Sequence, residues 1–297
     1  MAITTTANIV NLQEKVIGPA RLTLKDDVLA IKGSFWVVPG GPGMDDTYNS
    51  PKFPGVTAFG LTEGVDMTTE TLVDSNVAVS ATEVGVAVEL TNKMLSTVQR
   101  DTFLRDSGKA MASAVNVKEE QDLATLVDGF GTVVGLDGAS LTTGVVGNGL
   151  SQLRNNIEPV NEAMMREVSV VVSPYGWNDL AGQFFPTGSG DSHAPMTAQN
   201  NRANTSVLEN FFPVGNYFGT PLKLSTNLVT SGANIRSGVW YKRAGMMYEY
   251  MPADLVVDDS DKSMRSIELI MVIDYGFAEL NDGFGREIDH DNTAPTT

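Results

Sequence analysis

The first candidates for catalytic chemistry in this chain are its two histidines, because histidine is the side chain that most readily exchanges a proton near neutral pH. His193 follows Asp191 and Ser192, so a nucleophile, a base and an orienting carboxylate stand side by side. Immediate neighbours in sequence rarely reach the geometry of a catalytic triad, and no strand–turn–helix elbow surrounds Ser192. The pattern therefore predicts a flexible loop rather than a hydrolase site.

Two acidic clusters offer oxygen ligands that a metal ion could use. His290 stands between Asp289 and Asp291, but a zinc site usually needs three or four ordered ligands, which favours a solvated polar tail over residues 290–297. Segment 258–262 holds three aspartates and resembles half of a calcium loop, yet it lacks the glycine and the later glutamate of such a loop. An ordinary hairpin turn is predicted there, and no metal site.

Cofactor binding has equally little support. Gly147-Asn148-Gly149 could open a dinucleotide loop, but Gln152 stands where the third glycine belongs and no βαβ pattern surrounds it. Residues 204–206 fit a glycosylation acceptor, which means little without a secretory signal. The chain has no cysteine, so it offers no thiol catalysis, thiolate metal site or disulfide framework, and cytosolic production is favoured. The residues predict no catalytic, metal or cofactor site.

Composition narrows the remaining classes. The 297 residues are 42% hydrophobic, enough to bury a core, and carry a net charge of -16. Such acidity argues against a bare nucleic-acid binder, because phosphate neutralisation needs clustered Lys and Arg. It does not exclude a container whose inner wall only tolerates packed DNA. No apolar run approaches the roughly 20 residues that span a membrane, and residues 1–6 lack the features of a signal peptide.

The elements that would position any site are clearest between Pro51 and Gly131. Alternating apolar residues over 77–88 predict a strand with two unlike faces. A strand-like run at 56–61 precedes it, so the pattern predicts a long two-stranded arm whose acidic tip is 68–75. An isolated two-stranded ribbon is marginal in water. We therefore expect the arm to be covered by another subunit, which points to assembly.

A long helix should follow the arm. Residues 92–127 are mostly helix-forming; the part from Phe103 to Val127 would be about 37 Å long at about 1.5 Å per residue. Asp101 or Thr102 could cap its start, and Gly129 is predicted to be a left-handed C-cap with Phe130 as its apolar partner. The apolar residues fall on two opposed faces, which predicts either a bend near residue 116 or contacts with two different surfaces. The first face holds Phe103, Ala110, Met111, Ala114 and Val117, and the second holds Leu123, Leu126 and Val127.

The flanking regions are less regular. Phe35, Trp36 and the two valines after them are either a buried strand or an adhesive patch that docks on a neighbour, and the sequence does not decide between these. Residues 131–149 are rich in glycine and predict short strands and turns, a helix is expected from Ser151, and 183–205 is predicted to be a loop.

This order of elements resembles the major capsid proteins of tailed bacteriophages, with their Hong Kong 97-type shell fold, which bacterial encapsulin compartments share. Segment 170–180 resembles the strand–Pro–helix unit of the axial domain, 216–224 its returning Gly-x-Pro strand, and 264–275 the last long strand of the peripheral domain. The resemblance implies an α+β fold. Its parts would be an N-terminal arm (1–49), an extended β-hairpin loop (50–90), a peripheral domain with the spine helix (91–134), an axial domain (135–236), and peripheral-domain strands with a C-terminal tail (237–297).

The resemblance also implies a function. The chain would be a non-catalytic major capsid protein without cofactors, forming hexamers and pentamers of an icosahedral head around double-stranded DNA. It would be assembled in the host cytoplasm, with a portal, a separate scaffolding protein and in some cases a cement protein. Met1 and the absence of a long segment before the arm favour a separate scaffold. An encapsulin-type compartment enclosing an enzyme is the nearest alternative, and an acidic secreted enzyme or a carbohydrate-binding β-protein is a more distant one.

Two assembly contacts can be tied to residues. Some members of the family join subunits through a Lys–Asn isopeptide bond, but here the arm tip has no lysine and Lys52 lies at its base, so noncovalent contacts are expected. Ion pairs between the arm and the spine helix of neighbouring subunits are a hypothesis, although exposed pairs contribute only about 0–1 kcal/mol each. The candidate interface residues are Phe35, Trp36, Glu63, Asp66, Glu70, Asp74, Arg100, Arg105, Lys109 and Lys118.

Overall fold

The computed structural model describes residues 30–52, 56, 58–67, 69–91, 93, 100–157, 167–184, 216–217, 220–258 and 265–294. The described helices are α1 (Arg100–Asp128), α2 (Thr143–Asn156) and α3 (Pro174–Phe184). The described strands are β1 (Trp36–Pro39), β2 (Thr47–Lys52), β3 (Ser75–Ser80), β4 (Thr82–Thr91), β5 (Val133–Gly135), β6 (Val168–Val172), β7 (Asn216–Tyr217), β8 (Thr220–Leu224), β9 (Thr230–Ser231), β10 (Asn234–Tyr241), β11 (Gly245–Asp258), β12 (Ser266–Glu279) and β13 (Gly285–Asp291).

A four-stranded sheet in the order β1-β11-β12-β4 lies against helix α1. β4 pairs with β12 in unbroken antiparallel register from Thr91 opposite Ser266 to Thr82 opposite Tyr275. The β11–β12 ladder is irregular between Glu249 and Asp254, where Pro252 has no N–H to contribute. The strand predicted over 264–275 is therefore confirmed as β12.

Helix α1 is the predicted spine helix. Its buried residues recur in pairs four apart, and because four residues turn an α-helix about 40° beyond a full turn, the buried stripe winds round the helix from its first half to its second. Ala110 and Ala114, predicted to be on the buried face, are exposed. The helix ends in two tight turns at Gly129 and Phe130, and Gly129 does not have a positive φ, so the left-handed C-cap is wrong. The buried stripe includes Leu104, Met111, Ala112, Val115, Asn116, Glu119, Glu120, Leu123, Ala124 and Val127.

A second sheet runs in the order β5-β13-β10-β6-β8-β7, with β9 paired to β10. Helices α2 and α3 supply apolar side chains to the core against it. The strand–Pro–helix unit is confirmed as β6 followed by α3: Pro174 occupies the first helical position and the hydroxyl of Ser173 accepts the N–H of Gly176 at 2.9 Å. The returning strand predicted within 216–224 is also present, as β8.

Helix α2 corrects the prediction for the glycine-rich region. It begins at Thr143 instead of Ser151, because the side chain of Thr142 caps it by accepting the N–H of Val145. The candidate dinucleotide loop 147–149 is thus one turn of a helix. Gly149 has a packing role there, since a Cβ would lie 3.1 Å from a methyl group of Val239.

The β-arm is shorter than predicted. β2 pairs with β3 from Thr47 opposite Ser80 to Lys52 opposite Ser75, and the described residues of 56–61 are not a strand. The second half of the predicted arm strand is β4, which belongs to the four-stranded sheet of its own subunit. Part of segment 51–90 therefore folds onto the body, and residues 53–74 form the connection between β2 and β3.

The domain boundaries predicted from the sequence stay predictions, except where a boundary falls inside a strand of the structure. The boundary at 236/237 falls inside β10, and residues 237–297 supply strands to both sheets rather than to one. The candidate triad 191–193, the glycosylation pattern 204–206 and the turn 259–262 lie outside the described residues.

Candidate assembly surfaces

The only histidine in the described part of the chain is buried. His290 lies on β13 with no exposed surface, so the predicted solvated tail is wrong at this position. Its Nε2 lies 2.8 Å from the hydroxyl of Ser237, and its Nδ1 lies 2.8 Å from the carbonyl oxygen of Asp291. Burial lowers the pKa of His290. Because Ser237 is also fully buried, a substrate cannot reach this pair, and its role is structural.

The carboxylate beside His290, a candidate metal ligand, also has a partner within the protein. Asp289, which flanks His290 in sequence, forms an ion pair with Arg236. Among the residues that the structure describes, no group of three or more His, Asp or Glu side chains could hold a metal ion. None of the described helices is long and apolar enough to cross a membrane.

The connection between β2 and β3 exposes apolar side chains over most of its described length. Leu61 is 72% exposed, although apolar residues of this size normally gain free energy by burial. We call the described residues 56, 58–67 and 69–74 the arm loop. Its exposed apolar surface is rimmed by carboxylates and matches the pattern of a protein interaction site. The exposed apolar residues are Val56, Phe59, Leu61, Val65, Met67, Leu72 and Val73.

The base of the arm loop is fixed to the body. Val79 of β3 is buried with Met246 and Tyr248 of β11, and the rings of Tyr48 and Tyr248 lie 5.5 Å apart. Lys52 donates to the carbonyl oxygen of Leu280 at 3.2 Å. The arm loop is therefore an exposed tip on a rigid base.

The candidate acidic and basic interface residues have different surroundings. Glu63, Asp66, Glu70 and Asp74 are exposed on the arm loop. Arg105 lies 4.0 Å from Asp106, and Lys118 lies 2.6 Å from Asp122, so both cations meet carboxylates of their own helix. Lys109 is exposed, and the backbone of Arg100 begins α1. Pairing between these two sets across subunits stays a prediction.

The neighbouring aromatic residues Phe35 and Trp36 have different surroundings, one in the core and one at the surface. Phe35 is 1% exposed and stacks on Trp240 with ring centroids 5.0 Å apart. It belongs to the core of its own subunit, which corrects its assignment as an interface residue. Trp36 is half-buried, and the guanidinium of Arg243 lies 5.5 Å from its ring centroid. Part of the Trp36 side chain therefore stays accessible to a neighbouring subunit.

Two buried ionic clusters were missed by the sequence reasoning. Glu119 and Glu120 are 0% and 3% exposed on the buried stripe of α1. On the second sheet, Arg236 pairs with Asp289 and, at 2.8 Å, with Glu287. For the first cluster, one indication was available in the sequence. Two glutamates interrupt the apolar face of α1, which makes the helix only weakly amphipathic.

Comparisons with known proteins find similarity in structure alone. No protein-family model matches the chain, and no curated protein sequence matches it. The head structure of Helicobacter pylori bacteriophage KHP40 superposes with a TM-score of 0.65 at 10% identity, covering 86% of this chain and 88% of the other. The capsid of Ralstonia phage GP4 gives a TM-score of 0.64 at 13% identity, covering 89% and 88%. The capsid of cyanophage P-SCSP1u gives 0.59 at 13% identity, covering 88% and 87%.

These similarities cover most of each chain. They are similarities of architecture, since so few residues are identical. They confirm the α+β fold and the resemblance to phage capsid proteins inferred from the order of elements. The chain has the fold of tailed-phage capsid subunits, the Hong Kong 97-type shell fold.

Proposed function

We propose that this chain is the major capsid protein of a tailed bacteriophage and that it assembles into an icosahedral head around double-stranded DNA. The observation that carries the proposal is the near full-length match to phage capsid and head structures. The arm loop supports it independently, because its apolar side chains are exposed in the single chain and a neighbouring copy would cover them. An encapsulin-type compartment is not favoured by these comparisons.

The proposed role is mechanical and non-catalytic. The subunit forms hexamers and pentamers through many repeated interfaces that are apolar at their centres. Within each subunit, α1 and the four-stranded sheet form a stiff body, and the arm loop extends to a neighbour. We propose that the acids of the arm loop pair with Arg100, Arg105, Lys109 and Lys118 of that neighbour. The net charge of -16 suits a wall that does not hold DNA tightly.

Other components complete the proposal. A separate scaffolding protein and a portal would direct assembly in the host cytoplasm, and a cement protein is a further partner where noncovalent contacts need reinforcement. The mature location is the virion. No cofactor or membrane takes part.

The test is electron microscopy of the purified protein, expressed with and without a scaffolding protein. Closed polyhedral particles of uniform diameter are expected. Packaged DNA in particles purified from infected cells distinguishes a phage head from a compartment that contains a cargo enzyme. A protein that stays monomeric at high concentration under both conditions would contradict the proposal.

A further inference from the structure

Residues 30–34 form a tight turn where the N-terminal part of the chain meets the body. Ile31 has no exposed surface and Ser34 is 2% exposed, so the turn is embedded rather than laid on the surface. The turn is closed by its own bonds: the N–H of Ser34 donates to the carbonyl oxygen of Ile31, and its hydroxyl donates to that of Ala30. Side chains from α1 and β8 contact this turn.

Glu120 joins three elements through one carboxylate. Its Oε1 accepts the backbone N–H of Ile31 at 2.8 Å. Its Oε2 accepts the hydroxyl of Ser225, in the loop after β8, at 3.0 Å. The Ile31 bond is buried, and a buried backbone N–H that lost such a partner would be costly. Glu120 therefore fixes both the depth and the direction of the turn.

Glu119 holds the next residue of the turn. Its Oε2 lies 2.9 Å from the ammonium group of Lys32, which is also 3.7 Å from Glu249 of β11. Burial raises the pKa of Glu119, and Lys32 opposes that rise. The ion pair thus offsets part of the cost of burying this carboxylate.

Lys223 of β8 holds the turn from the other side. Its ammonium group donates to the hydroxyl of Ser34 at 2.8 Å and lies 3.5 Å from the carbonyl oxygen of Ala30. Burial lowers the pKa of Lys223. We call Glu119, Glu120, Lys32, Lys223 and Ser225 the N-terminal clamp.

Stability alone does not account for the clamp. Replacing a buried ion pair by apolar side chains of similar volume is often neutral or stabilising. Apolar contacts, however, are non-directional, whereas hydrogen bonds and ion pairs require a particular geometry. The clamp uses directional contacts from α1 and from β8 on one turn, at residues 30–34.

We propose that Glu119 and Glu120 are positioning residues whose clamp fixes the direction of the backbone through the turn at residues 30–34, and that shell assembly depends on this direction. The second part of this inference rests on the proposed capsid function. The first part concerns the subunit itself and can be tested without particles.

The main test is the double variant Lys32→Met/Glu119→Met, which keeps the side-chain volume and removes the ion pair. Its melting temperature as an unassembled subunit should equal or exceed that of the wild type. Hydrogen–deuterium exchange of the amides of 31–35 should be at least tenfold faster. The yield of uniform closed shells should fall at least tenfold. Lys32→Arg, which keeps the charge, should behave like the wild type in all three measurements.

Lys223→Met provides a second variant that acts from β8 and leaves both glutamates in place. It should also speed amide exchange over 31–35, and it should reduce shell yield by more than the fall in melting temperature accounts for, since it leaves the buried Glu120 without this nearby cation. Wild-type shell yield from both apolar variants would overturn the inference, as would a yield that falls only in step with the melting temperature. If the wild type forms no shells, the proposed function is wrong. Amide exchange then tests the clamp by itself, and unchanged exchange over 31–35 in the variants would overturn it as well.

Discussion

Glu287 should make the unassembled subunit less stable as the pH rises towards neutrality. The side chain is 4% exposed, and burial, with Asp289 and Asp128 nearby, raises its pKa to about 7 although Arg236 opposes this. A carboxyl group with a raised pKa in the folded state binds its proton more tightly there than in the unfolded chain. Its stabilising effect is therefore complete below about pH 4.5 and is lost as the pH rises to about 7 and above.

The size of the effect follows from the shift. Raising the pKa from 4.5 to about 7 corresponds to at most about 3 to 4 kcal/mol in the free energy of unfolding, at about 1.4 kcal/mol per pKa unit. His290 acts in the opposite sense: burial lowers its pKa, so its contribution is lost as the pH falls below about 6.5. The wild-type profile sums these effects with those of other carboxyl groups whose pKa burial raises, such as Asp289 and Glu119. The difference between the wild type and Glu287→Gln isolates Glu287.

The assay is urea denaturation of the unassembled subunit at half-unit steps from pH 4.5 to pH 8. The free energy of unfolding of the wild type should decline relative to that of Glu287→Gln by about 1 to 3 kcal/mol across this range. Glu268→Gln, an exposed position on β12, is the matched control and should follow the wild type. Parallel profiles for the wild type and Glu287→Gln would refute the reasoning.

Three further variants test the core, the base of the arm and the proposed interface. Phe35→Ala removes a buried ring stacked on Trp240 and should cost about 3 to 5 kcal/mol of unfolding free energy by urea denaturation; a loss under 1 kcal/mol would contradict the core assignment. Gly276→Ala places a Cβ against the backbone of β3 and should lower stability by about 1 to 3 kcal/mol and reduce shell yield, whereas an unchanged melting temperature would show that β3 does not lie so close. Glu70→Lys/Asp74→Lys should reduce particle yield in electron micrographs without changing the melting temperature, and a normal yield would remove the arm–spine hypothesis.

Elements defined by neighbouring residues were predictable. The spine helix follows from a run of mostly helix-forming residues, and α3 follows from Pro174 after an apolar strand, because proline is suited to the first turn of a helix. The strand β12 was identified by the resemblance of 264–275 to a family strand, and its apolar, partly β-branched run over 269–273 suits a strand. In each case the information lies within a window of about a dozen residues, which is the range over which periodicity acts.

Errors arose where a distant partner decides the outcome. The alternation of Val84, Val86 and Val88 predicted a strand correctly, but its partner is β12 rather than the other strand of the arm. His290 looks like part of a polar tail until β10 places Ser237 beside it. The buried position of Glu119 and Glu120 depends on Lys32 and Ser225, which are distant in sequence.

The sequence by itself determined the order and type of the main elements, the acidity, the lack of thiol chemistry and the resemblance to capsid subunits, because these depend on composition and local pattern. Only the tertiary structure decided which carboxylates are buried, which half of the predicted arm belongs to the body, and which apolar side chains stay exposed on the arm loop. The physical reason is that burial and charge pairing are properties of contacts between residues far apart in the chain, and these contacts exist only after the two sheets and the spine helix have packed together.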